Sequence, residues 1–184
     1  MILMGKIYPP LHVKLFVSLI LSEGVDYNLV ADKLQNRFGE IELKNEIVPF
    51  EYTTYYQKEM GSRLRRTHLA FSPSICPSDL AQIKVLTNEL ELNISDKKEG
   101  IRCVNIDPGY LTLAKIVLAS TKDFSHRIYL DKGIFAEVTL TYSKKNGWES
   151  LSWTYPDYKE DHAKKFFNTL RKNFYNQQGA LKFV

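Results

Sequence analysis

The first regular pattern along the chain is an alternation of side chains from Val13 to Ile20. The odd positions from 13 to 19 are aliphatic, whereas the even positions carry Lys14, Phe16 and Ser18. Successive side chains of an extended strand point to opposite sides, so this period of two is typical of a strand with one apolar face. The pattern predicts a first β-strand over Val13–Ile20.

Two later segments carry the spacing of an amphipathic helix. The apolar positions are Val30, Leu34 and Phe38 in the first segment, and Leu80, Ile83, Leu86 and Leu90 in the second. Residues three or four apart share one face of a helix, so each set predicts a stripe that packs on a sheet. Asp26 is placed to cap the first helix and Gly39 to end it, whereas Pro77 suits the first turn of the second.

Extended segments surround the second helix. They are Ile41–Tyr56, Arg65–Phe71 and Ile101–Ile106. Pro49 demotes part of the first to an edge or a bulge, and Asp107-Pro108-Gly109 is expected to end the last. The order strand, helix, strand, strand, helix, strand over residues 1–107 is that of a ferredoxin-like (βαββαβ) half, in which two helices cover one face of an antiparallel sheet.

The second half changes to closely spaced strands. The predicted strands are Leu111–Ser120, His126–Leu130, Ile134–Tyr142 and Trp148–Tyr155. Asn146-Gly147 predicts a two-residue hairpin turn, because both residues accept positive φ angles. Residues 108–156 are therefore predicted to form an antiparallel β-meander, and residues 157–178 a C-terminal helix with an apolar stripe.

These elements predict an α+β fold in a single domain, residues 1–184, in which a ferredoxin-like half is extended by the meander and the C-terminal helix. We see no flexible linker between the halves, so the meander is expected to pack on the first sheet or to continue it. An alternative is a single larger sheet curled into a half-barrel. The pattern leaves open which sheet face the second half covers.

Composition places the chain among ordinary globular proteins. Of its 184 residues 44% are hydrophobic, and 25 Lys and Arg against 21 Asp and Glu leave a net charge of +4. This composition excludes a disordered chain, and the charge is too small to indicate nucleic-acid binding by itself. The apolar stretch Leu15–Leu21 is shorter than a membrane span, and Cys76 and Cys103 form no disulfide framework. We therefore expect a cytoplasmic protein without a membrane partner.

The common cofactor and metal motifs are missing from the sequence. It contains no P-loop, no Gly-x-Gly-x-x-Gly, no Gly-x-Ser-x-Gly and no His-Glu-x-x-His. Its 4 histidines lack the spacing of metal ligands, so we expect no metal site and no cofactor. Thr121-Lys122-Asp123 differs in spacing from a guanine-reading motif, so specific binding of GTP is not expected.

Polar residues on the predicted strands of the meander form one candidate site. Lys115 and Glu137 lie opposite the aliphatic faces of their strands, and they meet across the sheet if those strands pair. One interpretation is a surface ion pair worth roughly 0.2–1 kcal/mol. The other is an enzyme site in which Glu137, Lys115 or His126 acts as the catalytic acid or base.

Two polar segments provide the candidate ligand-binding residues. One is the connector between the first strands of the meander, and the other follows the last predicted strand. Hydroxyls and a guanidinium in a turn suit a phosphate or a carboxylate, and aromatic rings suit stacking. The alternatives are a solvated turn and a hinge for the last helix, with Asp157 only as its cap. The candidates are Ser120, Thr121, Lys122, Arg127, Trp153, Tyr155 and Asp157.

The sheet face opposite the two predicted helices is a further candidate. Phe16, Arg66 and His68 fall on this face. A basic surface with an aromatic residue is what RNA-recognition sheets use to stack bases and hold phosphates. A free face of this kind also allows dimerisation with a second copy. The alternative is that the meander or the last helix covers the face, with Phe16 in the core.

The candidate residues of the second half lie within longer segments of distinctive sequence. These segments are Asn105–Leu111, Leu118–Asp123, His126–Leu130, Gly133–Leu140 and Trp153–Tyr158. They resemble the prokaryotic family called domain of unknown function 4416, and the resemblance covers essentially the whole chain. It implies no established activity. Its segments coincide with the candidate sites of the second half, which favours a single site formed by them.

The hypothesis from the sequence is a protein that binds a phosphorylated small molecule or nucleotide near Ser120–Arg127, against a wall formed by Trp153 and Tyr155. An anionic small molecule is thus the expected partner. The alternatives are an RNA-binding sheet module, an acid/base enzyme and a dimerisation module. The sequence identifies neither the ligand nor the oligomeric state.

Overall fold

Nine strands form one sheet in the computed structural model, which describes residues 6–95 and 102–181. The strands are β1 Val13–Leu21, β2 Ile41–Lys44, β3 Val48–Phe50, β4 Leu64–Ile75, β5 Val104–Leu111, β6 Lys115–Ser120, β7 Ile128–Asp131, β8 Ile134–Ser143 and β9 Gly147–Ser150. The helices are α1 Tyr27–Phe38, α2 Gln57–Met60, α3 Leu80–Ile94, α4 Pro156–Lys159 and α5 Asp161–Leu181, with a 3₁₀ turn at Pro77–Asp79 before α3. The predicted α+β class is confirmed, and the strand pairs of the described residues are antiparallel.

The meander continues the sheet of the first half. The strand order is β2-β4-β1-β5-β6-β8-β7, with β3 paired to β4 and β9 paired to β8. β5 joins the halves, because it pairs with β1 along its whole length and with β6 at one end. Of the arrangements that the sequence allowed, the structure has the one in which a single sheet runs through both halves.

The aliphatic face of β1 packs against α1 and α3. This core includes Leu15, Val17, Leu19, Val30, Leu34 and Ile83. The side chain of Asp26 accepts a hydrogen bond from the backbone N–H of Asn28 at 2.9 Å and caps α1. Gly39 ends α1 at a φ of 97°, a conformation that glycine adopts without strain. The predicted helix and both of its ends are confirmed.

α5 covers the opposite face of the sheet. Its apolar stripe, which includes Phe166, Phe167 and Leu170, packs in one core with Phe16. Phe16 and His68 are fully buried, and Arg66 is 4% exposed. An amphipathic helix and a half-apolar sheet face are most stable when each buries the other. Phe16 and His68 are therefore covered by α5 and offer no exposed surface to RNA bases or to a second copy, which were two of the alternatives from the sequence.

β5 continues through Asp107-Pro108-Gly109, so the predicted end of this strand was wrong. Pro108 lies opposite Val17 of β1, whereas pairing with β6 begins only at Gly109. A residue without an N–H group is tolerated in a strand where no neighbour needs that donor. The predicted start of this strand, Ile101, lies outside the described residues.

Two boundaries in the meander also differ from the prediction. The predicted strand Leu111–Ser120 is interrupted by a turn before β6. In this turn the Thr112 hydroxyl accepts hydrogen bonds from the amides of Ala114 and Lys115. The hairpin between β8 and β9 pairs Ser143 with Gly147, so its loop consists of residues 144–146 and is longer than predicted. Gly147, which pairs with Ser143 at the end of this loop, has a φ of 75°, a conformation that glycine adopts without strain.

Candidate functional site

A cavity opens where β5 and β6 separate. Backbone pairing between these strands runs from Leu111–Ile116 only as far as Gly109–Leu118. Pro108, the next residue of β5, lacks the N–H group that would extend the ladder. Beyond this point Asp107 of β5 and Ser120 of β6 line a cavity of about 630 Å³. This volume is typical of sites for small molecules.

Where β6 no longer pairs with β5, side chains of α3 form hydrogen bonds to the backbone of β5. Lys84 Nζ donates to the carbonyl oxygen of Ile106 at 3.0 Å, and Glu91 Oε1 accepts from the amide of Ile106 at 2.6 Å. Burial raises the pKa of Glu91, and the nearby charge of Lys84 opposes this effect only in part. These side chains satisfy backbone groups that would otherwise be buried without partners.

Asp107 faces the cavity from β5. Its Oδ1 accepts from Lys84 Nζ at 3.0 Å, and its Oδ2 accepts from Asn105 Nδ2 at 2.6 Å. Burial alone would raise the pKa of Asp107, but the charge and hydrogen bond of Lys84 hold it below its ordinary value. The Asp107 side chain is nevertheless 29% exposed. Asp107 is therefore an ionised carboxylate that a molecule in the cavity can reach.

Arg102 connects this network to the loop between β3 and β4, residues 51–63. Its Nη1 donates to Asn105 Oδ1 at 2.9 Å and to Glu91 Oε2 at 3.0 Å, and its Nη2 donates to Glu59 Oε2 at 2.9 Å. The Arg102 guanidinium also lies 5.9 Å from the centre of the Tyr56 ring. Burial raises the pKa of the Tyr56 phenol, which therefore stays neutral. The loop thus forms one wall of the cavity.

Arg66 of β4 lines the cavity beside α4. Its guanidinium forms an ion pair with Asp157 and lies 5.4 Å from the ring centres of both Phe50 and Tyr158. Burial would lower the pKa of Arg66, but the charge of Asp157 raises it above its ordinary value. Within the described residues, the buried Nε and Nη1 of Arg66 have no hydrogen-bond partner. A buried donor left without an acceptor costs roughly 1–3 kcal/mol, so Nε and Nη1 are the unsatisfied part of the Arg66 guanidinium.

The predicted connector forms an internal network. Arg127 Nε donates to Glu137 Oε2 at 2.7 Å, and Arg127 Nη1 donates to Ser120 Oγ at 2.8 Å. His126 Nε2 lies 3.0 Å from the same Glu137 oxygen, and Arg127 Nη2 donates to Tyr155 Oη at 3.2 Å. The Glu137 side chain is 1% exposed. Arg127 is therefore engaged by a buried carboxylate and is not a free guanidinium for an anion.

The cavity brings together most of the residues that the sequence singled out. Those that line it are Glu137, Ser120, Thr121, Lys122, Arg127, Tyr155 and Asp157. Lys115 does not, and it does not meet Glu137. The sheet register places Leu118 opposite Glu137, whereas Lys115 lies opposite Thr141 and is exposed. The predicted Lys115–Glu137 pair is therefore wrong.

Trp153 and His126 are not among the residues that line the cavity, and of the two only His126 contacts Glu137. β9 ends at Ser150, not at Tyr155 as predicted, because the Thr154 hydroxyl accepts from the amide of Leu151 and forms a turn. In this turn Trp153 Nε1 donates to the carbonyl oxygen of Val138 at 2.8 Å. Its ring stacks on the His126 imidazole with 5.1 Å between ring centres. Trp153 thus positions His126 and does not form the wall that the sequence predicted.

The sequence analysis did not group several charged residues of the cavity with the connector in one site. Among them are Arg66, Lys84, Arg102 and Asp107. The sequence of α3 carried a signal for these residues, because Lys84, Thr87 and Glu91 follow helical spacing. In the structure all three are buried. Polar residues on a buried helical stripe indicate a polar cavity or a backbone edge to be satisfied. No such signal marks Asp107, since Asp-Pro-Gly is typical of a turn.

Two cations of the cavity have donors without partners among the described residues. Each carboxylate that lines it has a cationic partner, in the pairs Glu59–Arg102, Glu91–Arg102, Asp107–Lys84, Glu137–Arg127 and Asp157–Arg66. Lys122 Nζ lies 4.0 Å from the centre of the Tyr55 ring and has no carboxylate partner in the described part of the chain. With Arg66 this leaves donors for an anionic group.

Residues 6–95 and 102–181 contain neither a candidate metal cluster nor a candidate membrane-spanning helix. In these ranges no group of three or more His, Cys, Asp or Glu side chains is arranged to hold a metal ion. None of the helices there has the length and apolar character needed to cross a membrane.

Comparison with known proteins gives one match. The model of a family described as Domain of unknown function (DUF4416) matches residues 11–174, a range that contains all the residues that line the cavity. No curated protein and no solved structure matches the chain. The resemblance drawn from the sequence is confirmed.

Proposed function

The chain belongs to the DUF4416 family, whose description gives no activity, and from the cavity we propose that this member binds a phosphorylated small molecule. The observation that carries the proposal is the Arg66 guanidinium, which is buried in the cavity with Nε and Nη1 unpartnered among the described residues. A guanidinium presents several N–H groups in one plane and binds phosphate oxygens in pairs.

Two other features favour a phosphorylated ligand over a neutral one. Lys122 adds a second cation, and it has no carboxylate partner among the described residues. The volume of about 630 Å³ also exceeds what an inorganic ion needs and accommodates a mononucleotide-sized molecule. Aromatic residues of the wall, Tyr55 and Tyr155, suit the uncharged part of such a molecule.

The test compares wild type with Arg66→Lys. Lysine keeps a positive charge beside Asp157, so the carboxylate is not left unpaired, but it lacks the planar set of donors. Wild type is expected to bind inorganic phosphate and ethyl phosphate in calorimetry, and both should raise its melting temperature. Arg66→Lys should weaken this binding by about tenfold or more, because a hydrogen bond to a charged group contributes roughly 1.5–3 kcal/mol.

The matched control is Arg63→Lys, since Arg63 is exposed and pairs with Glu23 outside the cavity. This control should bind both phosphates as wild type does. Equal binding by wild type and Arg66→Lys, or no binding by wild type, would contradict the proposal.

Other sequence predictions stay proposals with partial support. A ferredoxin-like first half is supported by the strand order β2-β4-β1-β5 and by α1 and α3 on one face. Catalysis by Glu137 or His126 is supported only by their 3.0 Å contact. The cytoplasmic location stays a prediction.

A further inference from the structure

The cavity has a second polar end, opposite the unpartnered nitrogens of Arg66. We propose that the phosphorylated ligand is a polyol, such as a sugar phosphate, whose hydroxyl groups bind the Asp107 carboxylate. This inference rests on the proposed function, because it places the phosphate at Arg66.

The sheet register sets Arg66 and the Asp107 network on one face at a suitable spacing. Arg66 of β4 and Asn105 of β5 both lie opposite Ile20 of β1, and Asp107 lies opposite Ser18. Residues opposite one another in neighbouring strands share a face, and neighbouring strands are about 4.8 Å apart, so the two outer backbones are about 10 Å apart. A small molecule in the cavity can therefore contact Arg66 with one end and Asp107 with the other.

The bonding of Asp107 favours hydroxyl groups over a cation. Each of its oxygens accepts one hydrogen bond from the protein, from Lys84 and from Asn105, and a carboxylate oxygen has room for a second. The Lys84 ammonium, 3.0 Å away, already compensates the carboxylate charge and would repel a cationic ligand. A neutral O–H donor meets no such repulsion. Asp107 is also 29% exposed, so its free acceptor sites are open to the cavity.

The aromatic wall fits the remainder of a sugar phosphate. Tyr55, Tyr56 and Tyr155 line the cavity. An aromatic face packs against the C–H face of a sugar ring, and a phenol donates or accepts hydrogen bonds at its edge. The pKa of the Tyr56 phenol is raised by burial, so its hydroxyl remains a donor near neutral pH.

The experiment measures binding of inorganic phosphate, ethyl phosphate and D-ribose 5-phosphate by calorimetry. Ethyl phosphate carries the phosphate ester without hydroxyls and so isolates the polyol contribution. Wild type should bind ribose 5-phosphate about tenfold more tightly than ethyl phosphate, as expected for hydrogen bonds to a charged group. Asp107→Asn should lose this preference. Its affinity for ethyl phosphate should stay equal or increase, because the variant removes a negative charge from the cavity.

The control variant is Asp32→Asn, an exposed position on α1 remote from the cavity residues, which should bind all three compounds as wild type does. Equal affinity of wild type for ethyl phosphate and ribose 5-phosphate overturns the polyol inference while the proposed function stands. Retention of the preference in Asp107→Asn also overturns it. If wild type binds none of the three compounds, the proposed function fails and the inference fails with it. The wild-type comparison decides the matter even if Asp107→Asn does not fold.

Discussion

Gly109 of β5 lies so close to Phe16 of β1 that a β-carbon on Gly109 would come within 2.6 Å of the Phe16 ring. Gly109 is also the last β5 residue that pairs with β6 before the two strands separate. Phe16 in turn packs edge-on against Phe167 of α5, with 5.0 Å between ring centres. The mouth of the cavity and the docking of α5 therefore depend on the same close approach within the sheet.

Gly109→Ala should destabilise the protein. The added carbon would lie 2.5 Å from the carbonyl oxygen of Val117, which is part of the backbone and cannot move aside. We expect the free energy of unfolding to fall by about 1–3 kcal/mol, the usual cost of overpacking, measured by urea denaturation. Gly24→Ala, at an open position with a φ of 82°, reports the cost of backbone strain alone, about 1 kcal/mol. A smaller loss in Gly109→Ala than in Gly24→Ala would contradict the prediction.

Arg127→Ala should lower stability. Its removal leaves the Glu137 carboxylate, 1% exposed, without its guanidinium partner. Breaking a buried ion pair on one side costs about 3 kcal/mol or more. In the double variant Arg127→Ala with Glu137→Ala, the two losses of stability should be less than additive. The Glu137 substitution removes the carboxylate that Arg127→Ala leaves without its partner. Additive losses in thermal or urea unfolding would mean that the pair is not coupled.

Lys122→Ala should weaken ligand binding with little change in stability. Lys122 is exposed and contacts the Tyr55 ring, so its removal should change the free energy of unfolding by no more than about 0.5 kcal/mol. Phosphate binding should nevertheless weaken about tenfold, because a charge-assisted donor is lost. Lys132→Ala, on the turn before β8, provides an exposed lysine outside the cavity for comparison. Unchanged phosphate binding in Lys122→Ala would remove Lys122 from the anion site.

His68 should make the protein less stable in acid. Burial lowers the pKa of His68 well below its ordinary value, with further effects from Arg66 and His162, and neither ring nitrogen has a partner among the described residues. Above pH about 6.5 the imidazole is neutral in both states, whereas below it the unfolded chain binds a proton that the folded one does not. Stability should therefore fall as the pH drops below about 6.5, by at most about 1.4 kcal/mol per pH unit for this group.

His68→Phe should remove this part of the acid loss. Phenylalanine fits the aromatic surroundings, where Phe166 stacks on the His68 ring at 5.3 Å, and it leaves no unpaired polar group. Urea denaturation at several pH values should show similar stability of variant and wild type at about pH 8, and a relative gain for the variant at about pH 5. His12→Phe, at an exposed position, is the control. If the stability difference between His68→Phe and wild type is the same at both pH values, the role of His68 is contradicted.

The second half should not fold by itself. β5 pairs with β1 of the first half, and α5 packs on a core that includes Phe16 and Ala70 of the first half. A chain that starts at Asp107 would expose both surfaces to water. We expect it to show no cooperative melt and no dispersed amide signals in NMR. A cooperative melt would show that the halves are separate domains.

Much of the local structure was determined by the sequence itself. The alternation along β1, the stripes of α1 and α5, and the caps Asp26 and Gly39 were all predicted, because side-chain period and capping depend on residues close in the chain. The connector residues Ser120–Arg127 were also singled out, since unusual donor density is visible in a short segment, and their role in a site stays a prediction.

Only the tertiary structure decided which of these residues face one another. Arg66 and Asp157 are 91 residues apart, yet they form an ion pair in the cavity, and Glu137 binds Arg127 instead of meeting Lys115. Such partners depend on strand register and on the separation of β5 from β6 at Pro108, which arise from pairing between distant segments. Local patterns fix the direction in which a side chain points from its strand, but the group it meets is fixed by the packing of the whole sheet.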